Sequence, residues 1–145
     1  MLMTPVEQSS LKSSILHKLK FHFGTIYLCQ DVIVSEIYEN QVFGVEEANV
    51  VVEHAVAYYE KINKVKKRVY IANRIHKYSV KPTGWFKFGY LDQYLIGYAV
   101  VDNTRFGFMN AILESKFVPI NFKAVKSLDA AMEWARSMKK EAVNV

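Results

Sequence analysis

Two segments of this chain are apolar on both faces and too short to be helices. Residues 68–75 hold Val69, Tyr70, Ile71 and Ala72 without polar alternation, and residues 94–101 run through Leu95, Ile96, Tyr98, Ala99, Val100 and Val101. A strand of that kind has no face to give to water, so it belongs in a sheet covered on both sides. Helical periods lie beside them. Between residues 45 and 62, Val45, Ala48, Val51, Val52, Ala55, Val56, Tyr59 and Ile62 recur at three- and four-residue steps, with Glu46 and Glu47 in the first turn and Lys61 at the end, as the helix dipole favours. Central strands alternating with amphipathic helices confine the chain to an α/β architecture: a mixed, largely parallel sheet of about five strands with helices packed on it.

The remaining elements fit that frame. Phe21 to Leu28 alternates, Gln30-Asp31 interrupts, and residues 32–37 resume a β-branched run, which reads as an N-terminal hairpin of two strands. Asp102-Asn103-Thr104 offers side-chain oxygens to cap a helix whose inner face is expected to carry Phe106, Met109, Ile112 and Leu113. Residues 117–122 read as a short strand, and Pro119, which cannot donate to a ladder, puts it at a sheet edge. Ser127 caps a closing helix carrying Leu128, Ala131, Met132, Ala135 and Met138 on one face. Trp85, Phe86, Phe88 and Tyr90 suggest a further short helix. Residues 1–18, polar and serine-rich, are expected to be a flexible or short helical lead-in, and residues 19–145 a single domain.

At 145 residues and 51% hydrophobic content the chain is one domain's worth and has ample material for a core. Cys29 is the single cysteine, so no internal disulfide can form. No signal-peptide pattern and no apolar run of about 18 residues occurs, which places the expectation in the cytoplasm.

The net charge of +5 is unevenly spread. Residues 1–60 carry three basic and eight acidic side chains, whereas residues 61–87 carry nine basic ones (Lys61, Lys64, Lys66, Lys67, Arg68, Arg74, Lys77, Lys81 and Lys87) and no acid. If those cations converge they attract an anionic partner; if not, they are a solvated helix end and loop. Tyr70, Arg74, Lys77, Tyr78, Lys81, Trp85, Phe86 and Lys87 interleave rings and cations as a single-strand nucleic-acid surface does, although packing against a sheet accounts for most of the rings. Trp85, Phe86, Phe88, Tyr90 and Phe106 could instead line a pocket for a small apolar ligand between helix and sheet.

Enzyme signatures are missing from the sequence. There is no Gly-x-Ser-x-Gly elbow, no Gly-x-x-x-x-Gly-Lys loop and no Gly-x-Gly-x-x-Gly. His17, His22, His54 and His76 fall in separate elements without metal-ligand spacing, so neither a metal nor a cofactor is called for.

The order of elements from about Leu19 to Lys139, with 69–73 and 95–101 as inner strands and a closing helix bearing Leu128, Ala131 and Trp134, resembles the SpoIIAA-like branch of the STAS superfamily. That group is related to bacterial anti-sigma-factor antagonists and to the cytoplasmic domains of sulfate transporters. The resemblance implies a non-enzymatic regulatory or protein-binding module, and the 76–88 loop with its neighbouring helix is the expected contact surface. In the antagonists a Ser or Thr within an Asp-Ser-Ser/Thr-Gly motif is phosphorylated to release the partner. Here the matching loop is Ser79-Val80-Lys81-Pro82-Thr83-Gly84: Thr83-Gly84 is kept, Lys81 stands near the Asp position and Pro82 precedes the hydroxyl. A phosphate or other anion at Thr83 would be met by Lys77, Lys81 or Lys87; the plainer reading is that Thr83 is only a helix cap.

Overall fold

A computed structural model describes residues 3–81 and 91–143, with side chains up to residue 139. Six strands form one sheet: β1 (Ile15–Phe21), β2 (Gly24–Cys29), β3 (Val32–Ile37), β5 (Arg68–Asn73), β7 (Leu95–Val101) and β8 (Asn121–Val125). Two more, β4 (Val42–Phe43) and β6 (Ser79–Val80), pair in parallel as a separate short ribbon. The helices are α1 (Val45–Lys61), α2 (Arg105–Glu114) and α3 (Leu128–Val143). The architecture is the mixed α/β one the sequence implies.

The sheet order is β1-β2-β3-β5-β7-β8, antiparallel across the first three strands and parallel from β3 onward. Parallel strands laid down in sequence order with right-handed crossovers send every connecting helix over the same face. Accordingly Val51, Ala55 and Tyr59 of α1 cluster with Ile26, Leu28, Ile33 and Ile37, and Ala111 of α2 clusters with Ala72, Tyr98 and Val100. Among the described residues no strand follows α3, which folds back over the opposite face: its Leu128, Ala131 and Ala135 pack with Val69, Ile71, Ala99 and Val101. Odd and even positions of β5 and β7 thus feed different layers, which is why both strands read as continuously apolar.

Several boundaries differ from the sequence expectation. The N-terminal hairpin is a three-stranded meander, because His22-Phe23 turns the chain within the stretch that alternates from Phe21 to Leu28. Gly24 then sits so close to the facing strand that a Cβ would lie 2.6 Å from the Glu36 carbonyl oxygen. Of the lead-in, residues Val6–Gln8 and Ser10–Ser14 form two 3-10 turns, and Ile15 to Lys18 already belong to β1. This edge strand exposes Leu16, His17 and Lys18 in succession, so no alternation marked its start. Val6 and Leu11 are buried in the α3-side core, and the buried Glu36 carboxylate accepts from the Val6 N–H (2.8 Å) and from Asn73 Nδ2 (2.9 Å), pinning the first turn to the sheet. The strand expected at 117–122 begins only at Asn121; Pro119 precedes it, and β8 is indeed an edge.

The largest correction concerns α2. Thr104 caps it, its Oγ1 accepting from the Gly107 N–H at 3.0 Å. Yet the face expected inside points outward: Phe106 is 77% exposed, Met109 61%, Leu113 53% and Ile112 46%. The inner face is instead Gly107, Ala111 and Glu114, two small residues that let the helix approach and one buried carboxylate. A Cβ on Gly107 would fall on the Asp102 carboxylate, so the first turn of α2 lies close against the end of β7.

α3 packs tightly. Ser127 Oγ accepts from the Ala130 N–H (3.1 Å), and Trp134 lies over Gly97, where an added Cβ would stand 2.7 Å from the ring. Among the described residues no helix is long and apolar enough to cross a membrane.

Candidate functional site

Among the described residues the basic segment does not gather into one patch. Lys61 ends α1 and Lys64, Lys66 and Lys67 lead into the start of β5, while Arg74, Lys77 and Lys81 follow its other end. A six-residue strand separates the two groups by about 20 Å. Several of these cations already have internal partners. Lys64 Nζ donates to Gln30 Oε1 at 3.2 Å, and Lys66 Nζ meets Asp31 Oδ1 at 2.7 Å, where Lys139 also arrives at 2.9 Å. Those ammonium groups hold the Asp31 carboxyl below its usual range.

Arg68 is buried, its guanidinium 3.5 Å from the centre of the Tyr59 ring. It donates to the carbonyls of Gln30 (3.0 Å), Lys64 (2.9 Å) and Lys66 (3.3 Å). Burial pulls its pKa below the ordinary arginine value. Lys77, Ser79 and Lys81 are exposed beside the β4/β6 ribbon, where the Lys77 carbonyl accepts from the Asn40 N–H and the Ser79 N–H donates to Gln41. The adjoining N-terminus of α1 is occupied from within: Glu47 Oε1 accepts from the Gly44 N–H at 3.0 Å. Thr83, Gly84, Lys87, Trp85, Phe86, Phe88 and Tyr90 lie outside the described residues. Phe106, expected to line a pocket between helix and sheet, faces solvent instead.

Beyond the end of β5 the structure brings together a set that no sequence motif announces. Arg74 donates through NH2 to Glu114 Oε2 (2.6 Å) and Tyr98 OH (3.4 Å), and through Nε to Tyr78 OH (3.2 Å), while Tyr98 OH donates to Glu114 Oε1 (3.1 Å). Tyr98 also stacks on Tyr70 and Phe122, with ring centroids 5.3 and 5.4 Å away. Burial, reinforced by the Glu114 charge, pushes the Tyr98 hydroxyl well above its usual range, so it stays a proton donor. Burial opposes the charge on Arg74, but Tyr78, Tyr98 and Glu114 together outweigh it and keep the guanidinium charged. The set is mutually satisfied, and its chemistry is that of a clamp: it fastens the C-terminal end of α2 to β5 and β7.

What the clamp presents is the outer face of α2. Phe106, Met109, Ile112 and Leu113 form an apolar stripe along a shallow groove whose rim includes the exposed Arg105 and Lys116. The sequence showed the stripe and not its direction. The signal for its direction was Gly107-x-x-x-Ala111-x-x-Glu114, a small-residue face ending in an acid that only a buried cation could accept. Among the described residues no three His, Cys, Asp or Glu side chains are placed to hold a metal ion. Comparison of the chain with family models, with curated proteins and with solved structures returned no match.

Proposed function

We propose that this chain is a regulatory module that works by binding another protein, as the STAS resemblance implies, with the outer face of α2 as its contact surface. One observation carries the reading: a ten-residue helix turns Phe106, Met109, Ile112 and Leu113 to water while holding its inner face by a buried ion pair. Contiguous exposed apolar side chains with a polar rim mark contact surfaces. The rim selects the partner. Pairing α2 with a second copy of itself about a two-fold axis would bring Arg105 against Lys116 of the other copy, a like-charge contact. An amphipathic helix with acidic flanks meets both the stripe and the rim.

The test is affinity capture from the source cell's lysate, with and without nuclease, using wild type, Phe106→Glu/Leu113→Glu and Lys77→Gln/Lys81→Gln. The expected result is a defined protein that survives nuclease and is lost only by the α2 variant. Loss by the lysine variant instead would move the contact to the 76–88 loop. Retention that nuclease abolishes would replace the protein-binding reading with nucleic-acid binding by the basic segment.

A further inference from the structure

α1 and α3 cover the sheet differently. The backbone of α3 runs close to β5, β7 and β8, whereas α1 meets the sheet through side chains, Val51, Ala55 and Tyr59 packing with Ile26, Leu28, Ile33 and Ile37. Toward the cavity α1 turns mostly small side chains, Ala48, Val51, Val52, Ala55 and Val56, with the larger Tyr59 at the inner end. Short side chains at these positions leave space between α1 and the sheet unfilled. A cavity of about 120 Å³ results, floored by Ile33, Tyr70 and Leu95 of the sheet. Protein interiors seldom keep voids larger than a water molecule, so a gap of this size is a feature to be explained.

The walls say what could enter. Most of the polar groups at the inner end are engaged: Tyr59 OH donates to the Cys29 carbonyl at 2.8 Å, and three of the Arg68 N–H donors go to the backbone carbonyls described above. A trapped water needs two to four polar partners, and apolar cavities of about 150 Å³ stay dry and take up benzene or xenon. The mouth, by contrast, is open, with Glu60, Val65, Lys66 and Tyr94 all exposed. We propose that the cavity between α1 and the sheet is a binding site for a small uncharged apolar molecule, aromatic or branched, of about benzene size. This site is separate from the outer face of α2 and does not depend on that surface binding a protein.

Toluene and benzoate, of similar size and different charge, serve as probes of thermal unfolding. Toluene is expected to raise the melting temperature of the wild type by a few degrees in a saturable way, because a ligand that binds only the folded chain stabilises it. Ala55→Leu and Val52→Phe, which fill the cavity from α1, should each abolish that rise. Equal stabilisation by benzoate would overturn the assignment of an uncharged ligand, and an undiminished toluene effect in a folded filling variant would overturn the location. Xenon-129 NMR on the wild type needs no variant. A saturable shift of the xenon resonance is expected, and a shift no larger than that produced by the denatured chain would sink the proposal.

Discussion

The guanidinium of Arg74 and the carboxylate of Glu114 meet at 2.6 Å beneath α2, joining the end of β5 to the end of a helix forty residues later. Both side chains are nearly sequestered, at 10% and 3% exposure. Breaking such a pair from one side strands a buried charge and costs about 3–5 kcal/mol, whereas replacing both partners with apolar groups is often neutral. Glu114→Ala is therefore expected to lose about that much in urea denaturation, and Arg74→Met/Glu114→Leu to recover most of it. A loss below about 1 kcal/mol in Glu114→Ala would show that the pair does not hold α2 in place.

The second close relationship lies on the opposite face. Trp134 of α3 covers Gly97 so closely that a methyl there would stand 2.7 Å from the ring. Overpacking of this sort costs about 1–3 kcal/mol. Gly97→Ala should lower the melting temperature, and Trp134→Leu in the same chain should restore part of the loss by vacating the space. If the two substitutions simply add, the residues are not in contact as described.

The direction of α2 sets up a sharp contrast. Were Phe106 part of the core, Phe106→Ala would cost about 3–5 kcal/mol. At 77% exposure it is expected to change stability by less than about 0.5 kcal/mol, and Phe106→Glu should stay folded with a helical signal equal to wild type. A large destabilisation by either would return the stripe to the interior.

That contrast also shows where sequence reasoning stops. Val69 to Ala72 and Leu95 to Val101 were legible because burial on both faces leaves no polar residue to confuse the period, and Ser127 and Thr104 were legible because capping is local chemistry. The direction of α2 was not legible, because an apolar stripe is the same string of residues whether it faces a sheet or a partner. Only the meeting of Glu114 with Arg74, a contact of long sequence separation, decides it. Likewise the turn at His22-Phe23 lacks the Asn-Gly or Asp-Gly signature of a tight hairpin. The cavity under α1 was invisible for a different reason: small residues at helical spacing say that a face is apolar, not how far away its neighbour will stand.

Cys29 offers a final check on the layer between β2 and α3. Its side chain is fully buried, and burial, only partly offset by the nearby Arg68 charge, pushes its pKa up to about 11. The nucleophile in alkylation is the thiolate, so at neutral pH the folded chain should resist iodoacetamide and the urea-unfolded chain should react fully. The same shift links to stability. A thiol ordinarily titrates near pH 8.5; the folded chain holds its proton up to about pH 11. The contribution is therefore whole below about pH 8.5 and is lost as pH rises from there through about 11. Cys29→Ala should flatten the alkaline fall in stability over that window relative to wild type. Rapid labelling of the folded wild type at pH 7.5, or an alkaline slope unchanged in Cys29→Ala, would show that the thiol is not sealed between the sheet and α3.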